Sequence, residues 1–177
     1  MEIEKKIFED FFSKKIDKDL FIAKLGVNEK EFPVELYKEI EKNMVQQDPV
    51  MSEYLVYALS IWVWDKENFG KRPVKYFLKL LNELVLYDWH KQHETIVDIL
   101  QIISDESSIE PLYQTMYLKL QYLEWDDSYS LQKRCIRAIT SIGGEKAVGY
   151  LELLKQEDNT IVKELAQRKW EQLIASH

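Results

Sequence analysis

Laid over itself with an offset of 39 residues, the chain repeats its own pattern: IVDILQIISDESSIEPLYQTM (96–116) falls on CIRAITSIGGEKAVGYLELLK (135–155). Ile96 meets Cys135, Val97 meets Ile136, Leu100 meets Ile139, Ile103 meets Ile142, Ile109 meets Val148 and Leu112 meets Leu151. In the turn, Glu106 meets Glu145. Each unit reads as an apolar-striped helix, a tight turn and a second helix. One such hairpin cannot bury its apolar face alone, so units of this kind must stack on neighbours, and the ends of the stack need polar caps.

Outside these two units apolar residues still recur at helical spacing, and alternating period-two runs are missing, which makes the chain all-α. Helices are predicted over 2–14, 17–25, 33–46, 50–64, 73–88, 91–103, 108–124, 129–142, 145–156 and 160–175. Pro49 and Pro73 stand where a first helical turn tolerates proline, and Gly26 and Gly143-Gly144 stand where helices stop. No Ser/Gly linker divides the chain, so 1–177 is a single domain. The segment 1–48 fits the repeat poorly and reads as an N-terminal helical cap, with repeats over 49–177. Within the cap, Asp17 is expected to N-cap a short helix that ends at Gly26 and turns Leu20, Phe21 and Leu25 inward. GKRPVKYFLKLL (70–81) reads as the second helix of a preceding unit, and TIVKELAQRKWEQL (160–173) as a closing half-unit that buries Val162, Ala166, Trp170 and Leu173.

The turns ISDESSIEPL and IGGEKAVGYL, each between two apolar-striped helices, resemble those of HEAT-like repeat proteins, particularly the short bacterial type, most clearly over 95–156. The resemblance implies a short right-handed α-solenoid of stacked helical hairpins, with the second helices lining a concave face used for recognition.

Composition narrows the partners. With 24 basic against 31 acidic residues the net charge is -7, and no local basic patch offsets it, so phosphate-driven nucleic-acid binding is not expected. The longest apolar run, YLVYALSIWVW (54–64), is about half of what a bilayer-spanning helix needs, so it reads as a buried helix and no membrane partner is expected. The start MEIEKKIFEDFF has neither the apolar stretch nor the cleavage site of a signal peptide. Together with a single cysteine, Cys135, read as a small apolar helix residue, this points to the cytoplasm. The lysine, glutamate and isoleucine usage points to a bacterial source.

The stretch that looks most like chemistry is DWHKQHET (88–95). His90 and His93 could share one helical face, and His93-Glu94 resembles the His-Glu pairs with which deoxyhypusine hydroxylases, themselves HEAT-like, hold two irons. That family uses four pairs, whereas the positions one repeat on are Gln132 and Lys133, and a lysine opposes metal binding. The pair therefore reads as a solvated helix start, with Glu94 at the positive end of the dipole, and no metal or other cofactor is expected. Alkylpurine DNA glycosylases, also HEAT-like, use basic concave surfaces that this acidic chain lacks. No serine nucleophile elbow or phosphate-cradling glycine loop is present. Trp62, Trp64 and Trp170 lie within apolar stripes and read as core.

Surface recognition remains, and two surfaces are candidates. Tyr76, Tyr117 and Tyr150 fall on the outward sides of successive second helices, where they either contact a partner or fill gaps between repeats. The loop YLEWDDSYS (122–130) sets Trp125 beside Glu124, Asp126 and Asp127, with helix capping by Asp127 or Ser128 as its other reading. The expectation is a non-enzymatic protein-binding module, in a specific form a bacterial immunity or inhibitor protein blocking a basic toxin or enzyme. The alternative is a HEAT-like enzyme of the DNA glycosylase or metal-dependent hydroxylase type.

Overall fold

The computed structural model describes residues 5–24, 31–64 and 74–175. Among them are ten α-helices and no strand: α1 (Lys5–Phe12), α2 (Lys18–Lys24), α3 (Phe32–Gln46), α4 (Pro49–Val63), α5 (Leu78–Leu84), α6 (His93–Ile103), α7 (Ile109–Thr115), α8 (Ser130–Ile142), α9 (Gly144–Leu154) and α10 (Thr160–Ala175). Short 3₁₀ turns at Val74–Phe77, Glu106–Ser108 and Gln121–Leu123 complete the elements. None of these helices is long and apolar enough to cross a membrane.

Local chemistry sets the boundaries. Asp48 accepts from the Val50 and Met51 amides at 2.9 and 3.1 Å, with Pro49 in the first turn of α4 behind it. Asp17 takes the Leu20 amide at 2.8 Å, as its sequence position suggests. The two repeat turns share a left-handed residue at equivalent positions, Ser104 at φ 52° and Gly143 at φ 73°. Asp105 supports the first turn by accepting from the Ser107 amide at 3.1 Å, while the second uses a further left-handed glycine, Gly144 at φ 79°.

Helices meet their second neighbours as well as their first. α4 packs on α6, α6 on α8 and α8 on α10, while α5 meets α7 and α7 meets α9; α9 closes against both α8 and α10. The repeat-equivalent pairs Ile96/Cys135, Val97/Ile136, Leu100/Ile139 and Leu112/Leu151 are all fully buried in one continuous core. At the other end, Phe8 touches Phe21 and stacks on Tyr54, and Phe12 lies 4.5 Å from Tyr57, which seats α1 and α2 against α4.

The structure differs from sequence expectation in four places. The helix expected over 73–88 is a 3₁₀ turn followed by α5, which ends at Leu84, and that expected over 108–124 ends at Thr115. In both, a side chain takes a carbonyl that the helix would have needed to continue: His90 takes that of Leu84, and Gln132 that of Met116. Trp64, expected in the core, lies one residue past the end of α4 and is 40% exposed, and Leu20, expected to face inward, is 45% exposed. Leu25, Gly26 and Pro73 lie outside the described residues.

Because Leu112 and Leu151 have no accessible surface, truncating either to alanine is expected to cost about 2–5 kcal/mol in urea unfolding. Parent-like midpoints for both variants would contradict the repeat register.

Candidate functional site

Two regions carry polar chemistry: the histidines at the start of α6, and the segment 116–130 that joins α7 to α8. They are connected. His93 and His90 are completely buried, so the solvated helix start expected from the sequence is corrected. Their rings stack with centroids 4.3 Å apart. His90 Nε2 lies 2.8 Å from the Leu84 carbonyl, and its Nδ1 accepts from the Gln92 amide at 3.1 Å. His93 Nε2 lies 2.8 Å from the Tyr87 carbonyl, with Nδ1 2.9 Å from the Tyr122 hydroxyl. A carbonyl can only accept, so both Nε2 atoms carry the proton, and the remaining nitrogen of each ring is the acceptor. Every ring nitrogen is therefore engaged within the chain.

Burial and the neighbouring His90 ring push the His93 imidazole down to about 4. Burial lowers His90 as well, partly offset by the Leu84 carbonyl. Burial first, and then the Glu94 carboxylate, hold the Tyr122 hydroxyl protonated far above the ordinary tyrosine range, which keeps it a donor to His93. Among the described residues no group of three or more His, Cys, Asp or Glu is arranged to hold a metal ion. Glu94 takes a bond from the Ser130 hydroxyl and pairs with Arg134 Nε at 3.4 Å, and Arg134 Nη1 reaches Asp98 at 2.5 Å. This network ties α6 to the start of α8. Cys135 is buried, and that burial raises its thiol well above the usual range.

Tyr122, held by His93, belongs to the 3₁₀ turn Gln121–Leu123 that leads into the acidic loop. Trp125 is 89% exposed. Its backbone is nonetheless fixed. The Asp126 amide donates to the Leu123 carbonyl at 3.0 Å, and the Asp126 carboxylate accepts from the Ser128 hydroxyl, the Ser128 amide at 3.0 Å and the Ser130 amide at 2.9 Å. These bonds hold the Asp126 carboxyl below the usual carboxylate range. The capping function that sequence reading offered to Asp127 or Ser128 thus falls to Asp126. Asp127 and Glu124 are exposed, and neither carboxylate is paired with a cation among the described residues.

The three tyrosines divide between two clusters. Tyr76 lies 4.7 Å from Tyr37 and 5.5 Å from Phe77. Tyr117 and Tyr150 both touch Tyr113, at 5.1 and 4.8 Å, and the Tyr117 hydroxyl donates to Glu157. Tyr76 and Tyr117 are each 49% exposed, so half of each ring is spent on packing between helices. Sequence reading missed Tyr122, His93 and Gln132 as the residues that organise the segment; the one signal available was that Gln132 stands 39 residues after His93, at the same repeat position.

Comparison with protein-family models, with curated proteins and with solved structures finds no match for this chain.

The histidine geometry sets an acid limit. The unfolded chain takes up a proton at His93 near pH 6.5, the folded chain only near 4, so the stability this residue supports is complete above 6.5 and is lost as pH falls toward 4. The loss amounts to about 3 kcal/mol at about 1.4 kcal/mol per pH unit. A His93→Gln variant is expected to be less stable than the parent at neutral pH, yet to lose about 3 kcal/mol less between pH 7 and 4. Parallel stability curves for the two proteins would contradict a buried neutral His93.

Proposed function

We propose that this chain is a non-enzymatic protein-interaction module, a short right-handed HEAT-like solenoid behind an N-terminal helical cap, whose acidic loop binds a basic partner. Three observations support the architecture. Contacts run between every second helix from α4 to α10, four of the six positions paired by the 39-residue pattern are fully buried in both units while Ile142 and Val148 are only partly so, and both turns place a left-handed residue at the same repeat position.

The observation that carries the function is Trp125. An indole 89% exposed on a loop whose backbone is pinned by Asp126 offers a large contact surface with little left to order on binding. Glu124 and Asp127 flank it as free anions, and the net charge of -7 would steer a cationic partner toward the chain. The tyrosine clusters at Tyr76 and at Tyr117 and Tyr150 are the less favoured surface, since each ring already has an aromatic neighbour. In its specific form the reading is an immunity or inhibitor protein of a bacterial cytoplasm that blocks a basic toxin or enzyme.

The test is recovery of a partner from host extract, followed by binding kinetics on the purified pair. Trp125→Ala is expected to speed dissociation about thirtyfold, as loss of a central anchor does. Glu124→Gln with Asp127→Asn is expected to slow association a few-fold, with the difference shrinking as salt rises. Asp126 is left intact because both its oxygens hold the loop. An acidic partner, or one that binds Trp125→Ala as tightly as the parent, would remove this loop from the account.

A further inference from the structure

The early end of α7 leaves a groove. Its volume is about 470 Å³, and its apolar side chains are Leu118, Leu120, Leu123 and Leu131. Lys119 and Glu124 also line it, and Glu124 is the residue immediately before the exposed Trp125. That volume lies within the range of sites that enclose small ligands, but here the space is open along one side.

Two features of the backbone suit it to an extended chain. Leu120 is itself extended, at φ -92° and ψ 113°. The amides of Lys119, Leu120 and Gln121 find no acceptor among the described residues, although Leu118, Leu123 and Glu124 on either side donate to Thr115, Leu120 and Gln121. Free amides beside an extended residue can bond a peptide main chain, while the leucines take the side chain that points inward.

Charge selects among peptides. Glu124 and Asp127 have no cation partner among the described residues, and the Asp126 carboxylate is consumed within the loop. Against these stands Lys119, in a chain whose net charge is -7. The field at the groove therefore favours cationic flanks around an apolar centre.

Resting on the interaction reading above, we infer that the groove between 118–124 and the start of α8 is the docking site for an extended segment of the partner protein. That segment carries a leucine-sized apolar side chain between lysines or arginines. The apolar side chain sits on Leu118, Leu123 and Leu131, a cationic neighbour faces Glu124, and the chain leads directly from this rim into the exposed Trp125.

The probe is a short acetylated peptide alternating lysine with leucine, compared with lysine–serine and glutamate–leucine versions, on the intact chain followed by amide NMR. The lysine–leucine peptide is expected to give saturable shifts at Lys119, Gln121, Leu123 and Gln132 with half-saturation at or below about 1 mM, and the two controls at least tenfold weaker ones. Gln121→Trp, which fills the groove from an exposed position, and Glu124→Lys, which reverses its rim charge, are each expected to weaken binding about tenfold with an unchanged melting temperature. Shifts confined to another face, or equal binding of the glutamate–leucine peptide, would overturn the inference. Should the natural partner be lost on Trp125→Ala yet retained by Gln121→Trp, the loop reading stands and the groove falls. Peptide binding at the groove, with a natural partner indifferent to Trp125, would do the reverse.

Discussion

His93 is the residue that ties the segment between α7 and α8 to the end of α5. It is fully buried at the first position of α6, and its two ring nitrogens reach in different directions, one to the Tyr87 carbonyl beyond α5 and the other to the Tyr122 hydroxyl beyond α7. A neutral imidazole donates at one ring nitrogen and accepts at the other, at points fixed by a rigid ring. It satisfies an orphan carbonyl and fixes the turn from which the Trp125 loop departs. Removing it would leave a part-buried carbonyl and a part-buried hydroxyl unpaired at once.

The same device recurs one repeat later. Gln132, at the position equivalent to His93, gives its amide to the Met116 carbonyl at 3.3 Å. In each case the first helix of a unit sends a polar side chain back to the frayed end of the helix before it. The second instance opens the segment 116–124, and so makes both the groove and the loop. Arg134, Glu94, Asp98 and Ser130 then hold α6 and α8 in register beneath them. The order of the loop thus rests on its own Asp126 bonds and on the contacts between helices beneath it, which suits the interaction proposed for it.

Much of the helical order is legible in the sequence, because burial imposes periodicity: of the stripe Ile109, Leu112, Met116, Leu120 and Leu123, the first four are buried and Leu123 partly so, even though the helix beneath them stops at Thr115. What periodicity could not show was that stop, since apolar spacing reports which residues face inward and not whether their backbone bonds stay local. The histidines were misread for a related reason. A His-Glu pair at a helix start resembles a ligand pair or a solvated cap, and only the tertiary arrangement supplies the two carbonyls and the hydroxyl that bury it. Trp125 was legible as exposed because acidic residues surround it in a loop, whereas Trp64 was not, since one residue decides between the last turn of α4 and the chain beyond it.

The central claim, that a buried neutral imidazole clamps the ends of two helices, is tested most directly by nitrogen-15 NMR of the histidine rings across an acid titration. His90 and His93 are both expected in the Nε2–H form at neutral pH, with His93 remaining neutral until about pH 4 and the amide signals of Tyr122 and Trp125 shifting with it. An imidazole at position 93 that carries its proton on Nδ1, or that titrates near 6.5 as an exposed histidine does, would contradict it.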